Sequence, residues 1–255
     1  MFLGDIVGKP GRYAVQEGLP SLRQIYQPDF VIVNGENSAG GVGITPDIVK
    51  SLLAFQVDAI TLGNHAFNKR DVVDVMNGTT PIVRPGNMAK GVPGVGLIHL
   101  PEKGGVKLSV ANLCGQVYMD SYDDPFALAS AYAQECKDRH LFLDFHAEAT
   151  SEKIAMGFHM DGQAVAVVGT HTHVTTADEQ VLPEGTAYIT DVGMCGPWPS
   201  VLGMDREIIL NRFRTGLPQR FEVANEPGVI SGVVIDVLRE SGRASHIERI
   251  RFPSI

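Results

Sequence analysis

Side chains capable of acid–base or metal chemistry gather at five places in this chain, each directly after a short apolar run. Phe2–Leu3 leads into Gly4–Asp5, Val31–Val33 into Asn34-Gly35-Glu36-Asn37, and Ile60–Leu62 into Gly63-Asn64-His65. Phe142–Phe145, interrupted by Asp144, leads into His146, and Val165–Val168 into Gly169-Thr170-His171-Thr172-His173. Taken singly, each has a plain explanation. An Asx after a strand commonly turns or caps the chain, and a lone histidine there is more often a satisfied polar side chain than a ligand. Five repeats of one position and one set of residue types are harder to dismiss, because ligands of open α/β sheets bind outside the carboxyl ends of strands. The His171-x-His173 pair is informative by itself: a continuing strand aims both imidazoles at one face, and a turn does not.

The donor set narrows the chemistry. Asp5, Glu36, Asn37, Asn64, His146, His171 and His173 offer two carboxylates, two carboxamides and three imidazoles, with no thiolate. Such a mixed oxygen and nitrogen set suits Mn, Fe or Zn, and poorly suits an all-oxygen Ca or Mg cage or a soft metal. It is too large for one tetrahedral zinc with an open position. Two metals sharing a bridging carboxylate fit it. With two divalent ions, two carboxylates and a bridging hydroxide the site carries a charge of about +1, so phosphate is attracted even to an acidic protein.

The elements that must hold these residues are legible as alternating strands and helices. Strands are predicted over Phe2–Val7, Phe30–Asn34, Ala59–Leu62, Pro81–Arg84, Leu108–Leu113, His140–Phe145, Ala164–Gly169 and Ala187–Thr190. They are continuous apolar runs, as expected of strands covered on both faces. The clearest helix runs from Thr45 to Phe55, with Thr45 as N-cap, Pro46 at the first helical position and Ile48, Val49, Leu52 and Leu53 on one face. This alternation points to α/β layers. After residue 217 the pattern changes to Arg220–Val223, Val229–Leu238 and Ile247–Phe252, read as antiparallel strands with no further helix. No repeat, low-complexity segment or linker divides the chain, so residues 1–255 are expected to form a single domain.

Composition removes several classes of function. The chain has 255 residues and a net charge of −8. An acidic surface is a poor general partner for duplex DNA, whose phosphates dominate such binding. No apolar run reaches the roughly 18–20 residues a membrane span needs. Cys114, Cys136 and Cys195 are odd in number, far apart and without a CxxC pair, which argues for a reducing compartment and against thiolate zinc. The first residues lack the basic lead and apolar core of a signal peptide, and a cytoplasmic location is expected. Gly4-Asp5-Ile6-Val7-Gly8-Lys9 is one residue short of a P-loop, and Pro10 stands where a hydroxyl would hold magnesium. There is no GxSxG elbow. An amidohydrolase barrel would place its HxH after the first strand, not two-thirds along the chain.

Gly4-Asp5, Gly35-Glu36-Asn37, Gly63-Asn64-His65 and Gly169-Thr170-His171-Thr172-His173 together resemble the ordered motifs of the calcineurin-like metallophosphoesterases. GDIVGKPGR, VNGENSAGGVGIT, TLGNHAF, PIVRPGN, DFHAEATSEK and GTHTHVTTAD resemble the YmdB-like branch of that superfamily. Val7 in place of the His of an Asp-x-His opening motif, and Glu36, followed by Asn37, in place of the Asp of a Gly-Asp pair, are departures from the wider superfamily that the branch shares. Only four residues precede Asp5, fewer than is usual in the family, so either a clipped first strand or a misplaced start codon is expected.

The resemblance implies a metallophosphoesterase-like four-layer α-β-β-α sandwich with two mixed sheets. It implies that Asp5, Glu36, Asn37 and His173 surround one metal and that Glu36, Asn64, His146 and His171 surround the other, with Glu36 bridging. The ions would be divalent or trivalent transition metals, Fe or Mn, with Zn as an alternative. His65 would be no ligand; it would face the substrate as general acid while a metal-bridging hydroxide attacks phosphorus. The expected substrate is a small phosphodiester, a 2′,3′-cyclic nucleotide, and the expected assembly a homo-oligomer, dimer or tetramer. The competing function is a regulatory metal-binding protein that acts through RNA or protein partners with little turnover. Arg84, after its strand, is either a phosphate contact or a surface arginine paired with an acid, the latter favoured. Gly40-Gly41-Val42-Gly43 is read as a tight loop, and Met194–Trp198 as a rim or lid in which Trp198 either stacks on a base or packs.

Overall fold

Adjacent residues of a strand point to opposite faces, so runs that are apolar at every position need a packed layer on each side. The structure, a computed structural model, describes residues 1–76 and 79–253. Along the chain come β1 (Phe2–Leu3), β2 (Asp5–Ile6), α1 (Gly8–Tyr26), β3 (Ile32–Asn34), α2 (Pro46–Ala54), β4 (Ala59–Thr61), α3 (Val73–Met76) and β5 (Ile82–Val83). Then follow β6 (Leu97–His99), β7 (Leu108–Cys114), α4 (Pro125–Glu135), β8 (His140–His146), α5 (Thr150–His159), β9 (Ala166–Thr170) and β10 (Gln180–Val181). Last are β11 (Ala187–Ile189), β12 (Met194–Pro197), α6 (Arg206–Thr215), β13 (Gly228–Val237) and β14 (Ala244–Phe252).

Two mixed sheets result. One runs in the order β2-β12-β13-β1-β3-β4-β5, with β14 paired to β13; the other runs β10-β11-β9-β8-β7-β6. The strands β1, β3, β4 and β5 are mutually parallel, as are β7, β8, β9 and β11. Between the sheets, Phe2, Ile32, Ala59 and Val83 meet Leu108, Val110, Phe142 and Val168, with the Phe2 and Phe142 rings 5.2 Å apart. On the outer face of the first sheet, Leu3, Val33 and Ile60 pack against Val15 and Leu19 of α1 and Val49 and Leu52 of α2. On the outer face of the second, Leu113, Leu143 and Phe145 pack against Ala129 of α4 and Met156 of α5. Each fully buried side chain of this size contributes roughly 1.5–3 kcal/mol. The architecture is the expected α-β-β-α sandwich. No helix among the described residues is long and apolar enough to cross a membrane.

Three stretches of the fold depart from the sequence reading. The predicted Phe2–Val7 strand breaks at Gly4, where a Cβ would lie 1.9 Å from the Gly193 carbonyl oxygen; its halves pair with different strands. Met194–Pro197 is neither rim nor lid but the buried strand β12, between β2 and β13. Arg220–Val223 is not a strand, since only Val223 bridges, to Met204. As expected, Thr45 occupies the N-cap of α2 with Pro46 at the first helical position; its hydroxyl makes no capping bond.

Candidate metal centre

Parallel strands of both sheets end at one edge, and the turns beyond them carry the reactive side chains. Asn34 closes β3, and its Oδ1 accepts the Glu36 N–H at 3.1 Å, which ties the Glu36-Asn37 turn to the strand end. Beyond β4, a Cβ on Gly63 would lie 2.3 Å from Glu36 Oε2 and 2.4 Å from His146 Nε2, so only glycine lets the backbone pass here. His146 closes β8. After Thr170 closes β9 the chain turns sharply, with His171 at φ 99° and His173 at φ 65°. The HxH pair is therefore a turn, not a strand face.

Four ligand-type atoms converge in this space. His146 Nε2 lies 3.1 Å from Glu36 Oε1, 2.9 Å from Asn64 Oδ1 and 3.0 Å from His171 Nδ1. An imidazole nitrogen offers one lone pair or one proton, so it cannot satisfy all three neighbours, whereas a cation among them would. Donor atoms of Glu36, His146 and His171 all lie within 4.8 Å of one another. Asp5, Asn37 and His173 stand alongside. Asn37 Nδ2 is 2.9 Å from His173 Nε2, and Asp5 Oδ2 accepts the His171 N–H at 3.3 Å. Asp5 Oδ1, 3.9 Å from His146 Nδ1, and Asn37 Oδ1 are buried with no hydrogen-bond partner among the described residues. Leaving such an atom unpaired costs about 1–3 kcal/mol, and both are oxygens of the kind a hard or borderline metal takes. The residues present fit a metal group.

Charge points the same way. Burial pulls the His146 imidazolium down, yet Glu36 and Asp5 outweigh it and push its pKa up to about 9. Burial raises Glu36, but His146 and His65 bring it down to about 2. Burial and the neighbouring His146 lower His171 to about 3, and burial raises Asp5. The cluster thus draws a positive charge to the place where Nε2 of His146 points.

The outer nitrogens are held as well. His173 Nδ1 donates to the Leu202 carbonyl at 3.0 Å, which leaves the Nε2 lone pair facing Asn37. His171 Nε2 is 3.3 Å from Glu148 Oε2, and His146 Nδ1 is 2.9 Å from the Thr170 hydroxyl. Partners of this kind fix the tautomer and aim of metal-ligating histidines. The sequence reading missed Glu148 and Thr170. It also missed Asp144 and Asp191, whose only signal was a carboxylate within or directly after an apolar run.

His65 lies apart from the converging atoms. Its N–H donates to Glu36 Oε2 at 3.0 Å, and its Nε2 sits 3.5 Å from Asn64 Nδ2. Arg84 corrects the favoured expectation of a surface arginine paired with an acid. It is buried, and it donates to the carbonyls of Pro85, Val92, Pro93 and Gly94 at 2.7–3.1 Å, so it organises its own loop and pairs with no acid among the described residues. Trp198 is partly exposed, with the Arg251 guanidinium 4.7 Å from its ring centroid. Gly40, Gly41 and Gly43 all have positive φ, as a tight loop requires.

The profile of the YmdB-like protein family matches residues 1–250. The chain is 50% identical over 252 residues to a 2′,3′-cyclic-nucleotide 2′-phosphodiesterase of Bacillus subtilis, covering 98% of this chain and 95% of that one. Two crystal structures superpose on it with a TM-score of 0.91. One is of a hypothetical protein from Thermus thermophilus, 40% identical, covering 98% of this chain and 97% of that one. The other is of a phosphatase from Mycoplasma pneumoniae, 37% identical, covering 98% and 92%.

Proposed function

The chain belongs to the YmdB-like family, and on that basis we propose that it is a metal-dependent phosphodiesterase hydrolysing 2′,3′-cyclic nucleotides at the 2′ ester bond. The observation that carries the reading is the crowding of Glu36, Asn64 and His171 around His146 Nε2, each within 3.1 Å. Glu36, Asn64, His146 and His171 would hold one transition metal ion, Fe, Mn or Zn. Asp5, Glu36, Asn37 and His173 would hold a second, and the Asp5 and Asn37 oxygens that lack a hydrogen-bond donor among the described residues support that group. Such ions, when bound, supply Lewis acidity at phosphoryl oxygens and an acidified water. Both sheets contribute to the centre, which supports reading residues 1–255 as one domain.

The chain's own residues supply the rest. In the reaction a water oxygen bonds to phosphorus as the bond from phosphorus to the ribose 2′ oxygen breaks, and that oxygen takes a proton. His65 sits beside the converging ligands without joining them, so it is free to hydrogen-bond the leaving oxygen and protonate it. The Glu36 carboxylate fixes the His65 backbone, which sets the ring's distance from the centre.

The test is turnover of 2′,3′-cyclic AMP by protein reconstituted with Mn²⁺ or Fe²⁺, with product followed by chromatography and Glu36→Ala as control. Metal-dependent release of the 3′-phosphate, absent from the control, bears the reading out. Bound metal without turnover would move it to another phosphoester or to a regulatory protein with little turnover.

A further inference from the structure

We propose that Asp144 is a positioning residue that sets both halves of the metal centre, one from each sheet. The inference rests on the metal reading above and goes beyond it, since Asp144 touches no ligand atom. The carboxylate lies within β8 and is fully buried. Its Oδ1 accepts the Thr170 hydroxyl at 2.6 Å. Its Oδ2 accepts the Asn34 amide at 3.0 Å and the Thr61 hydroxyl. Three donors on its two oxygens favour the ionised carboxylate, which can only accept.

This fixes the direction of every bond outward from it. Thr170 has one hydroxyl proton and gives it to Asp144, so Thr170 Oγ1 can only accept from His146 Nδ1, 2.9 Å away. His146 therefore carries a proton on Nδ1, and its Nε2 is the atom turned to Glu36, Asn64 and His171. The second arm runs through Asn34. Its amide nitrogen is used by Asp144 and by the Leu62 carbonyl, each at 3.0 Å, which leaves Oδ1 to receive the Glu36 N–H at 3.1 Å. Asn34 belongs to one sheet, and Asp144, Thr170 and His146 to the other. One buried anion thus determines the tautomer of His146 and the seat of Glu36, and so the spacing between two ligands that no single sheet controls.

Thr61 provides the control, because it donates to the same carboxylate but leads to no ligand. Metal-free protein would be titrated with Mn²⁺ by calorimetry, with thermal midpoints recorded in parallel. Thr170→Val should weaken Mn²⁺ binding by about 10–100-fold, as loss of such outer partners does, whereas Thr61→Val should stay within about twofold of wild type. Thr170→Ser, which keeps the hydroxyl, should restore wild-type affinity; if valine unfolds the chain, Thr170→Ala replaces it. Equal losses at positions 170 and 61, or no loss at either, overturn the proposal while leaving the metal centre standing. Wild-type protein that takes up neither Mn²⁺ nor Zn²⁺ overturns the metal reading, and this inference with it.

Discussion

The Lys153 ammonium lies 2.8 Å from Asp191 Oδ2, and both side chains are almost wholly buried. The same carboxylate oxygen accepts the Thr172 N–H at 3.0 Å and the Thr172 hydroxyl at 2.8 Å, while Oδ1 accepts the Gly193 N–H. Thr172 stands between His171 and His173, whose left-handed backbone costs of order 1–3 kcal/mol each unless the surroundings hold it. The ion pair is the clamp on that strained turn.

Removing one partner strands the other charge in the interior. Lys153→Met is expected to destabilise the fold by about 3–5 kcal/mol, measured by urea denaturation. Asp191→Ala is expected to release the turn and lower metal content as well. A loss under about 1 kcal/mol in Lys153→Met would class the pair with screened surface bridges and refute its role as clamp.

Much of this centre was legible because strand ends are local features. Asp5, Glu36, Asn64, His146 and His171 each come within a few residues of the end of an apolar run, and the sheets then bring those ends to one edge. What stayed hidden depends on distant partners. Asp144 reads only as an interruption of an apolar run, because its donors lie 26, 83 and 110 residues away in sequence. Arg84 follows a strand as a site residue would, yet its donors serve carbonyls of its own loop. The strand Met194–Pro197 carries Gly196 and Pro197 and no β-branched residue, so its composition reads as a loop. Pairing with Asp5–Ile6 and with β13 overrides that preference.

Gly63 offers a purely steric test. A methyl group there meets Glu36 Oε2 and His146 Nε2 well inside contact distance, and its φ is not one that alanine resists. Gly63→Ala is therefore expected to fold, with a normal circular dichroism spectrum, and to bind Mn²⁺ at least about tenfold more weakly as the ligands are pushed apart. Wild-type occupancy in this variant would mean that Glu36 and His146 do not share an ion.

His65 separates protonation from metal binding. His65→Ala should keep its full metal content and lose about 10²–10⁴ in kcat on 2′,3′-cyclic AMP. The loss should shrink on a p-nitrophenyl phosphodiester, whose leaving group departs without a proton. Metal analysis and the two kcat ratios decide this. An equal loss on both substrates would remove His65 from the role of general acid, and loss of metal would make it a ligand.

Metal binding should also release a proton, and the direction follows from the cluster's charges. In metal-free protein the His146 pKa is raised to about 9, so near neutrality this ring is protonated and must lose a proton before Nε2 can bind an ion. Glu36, at about 2, and His171, at about 3, are already deprotonated there. Mn²⁺ affinity should therefore rise by about tenfold per pH unit through neutrality and level off near the raised value, well above the roughly 6.5 of a free histidine. The stability that the raised pKa gives to the metal-free fold is complete below pH 6.5 and is lost as pH rises through about 9. Bound metal replaces that proton, so the thermal midpoint gap between loaded and metal-free protein should widen over the same window. Calorimetry near neutral pH, in buffers of differing ionisation enthalpy, counts the protons released. A count of zero there would show that His146 is neutral before the ion arrives, and that Glu36 and Asp5 do not hold the proton on it.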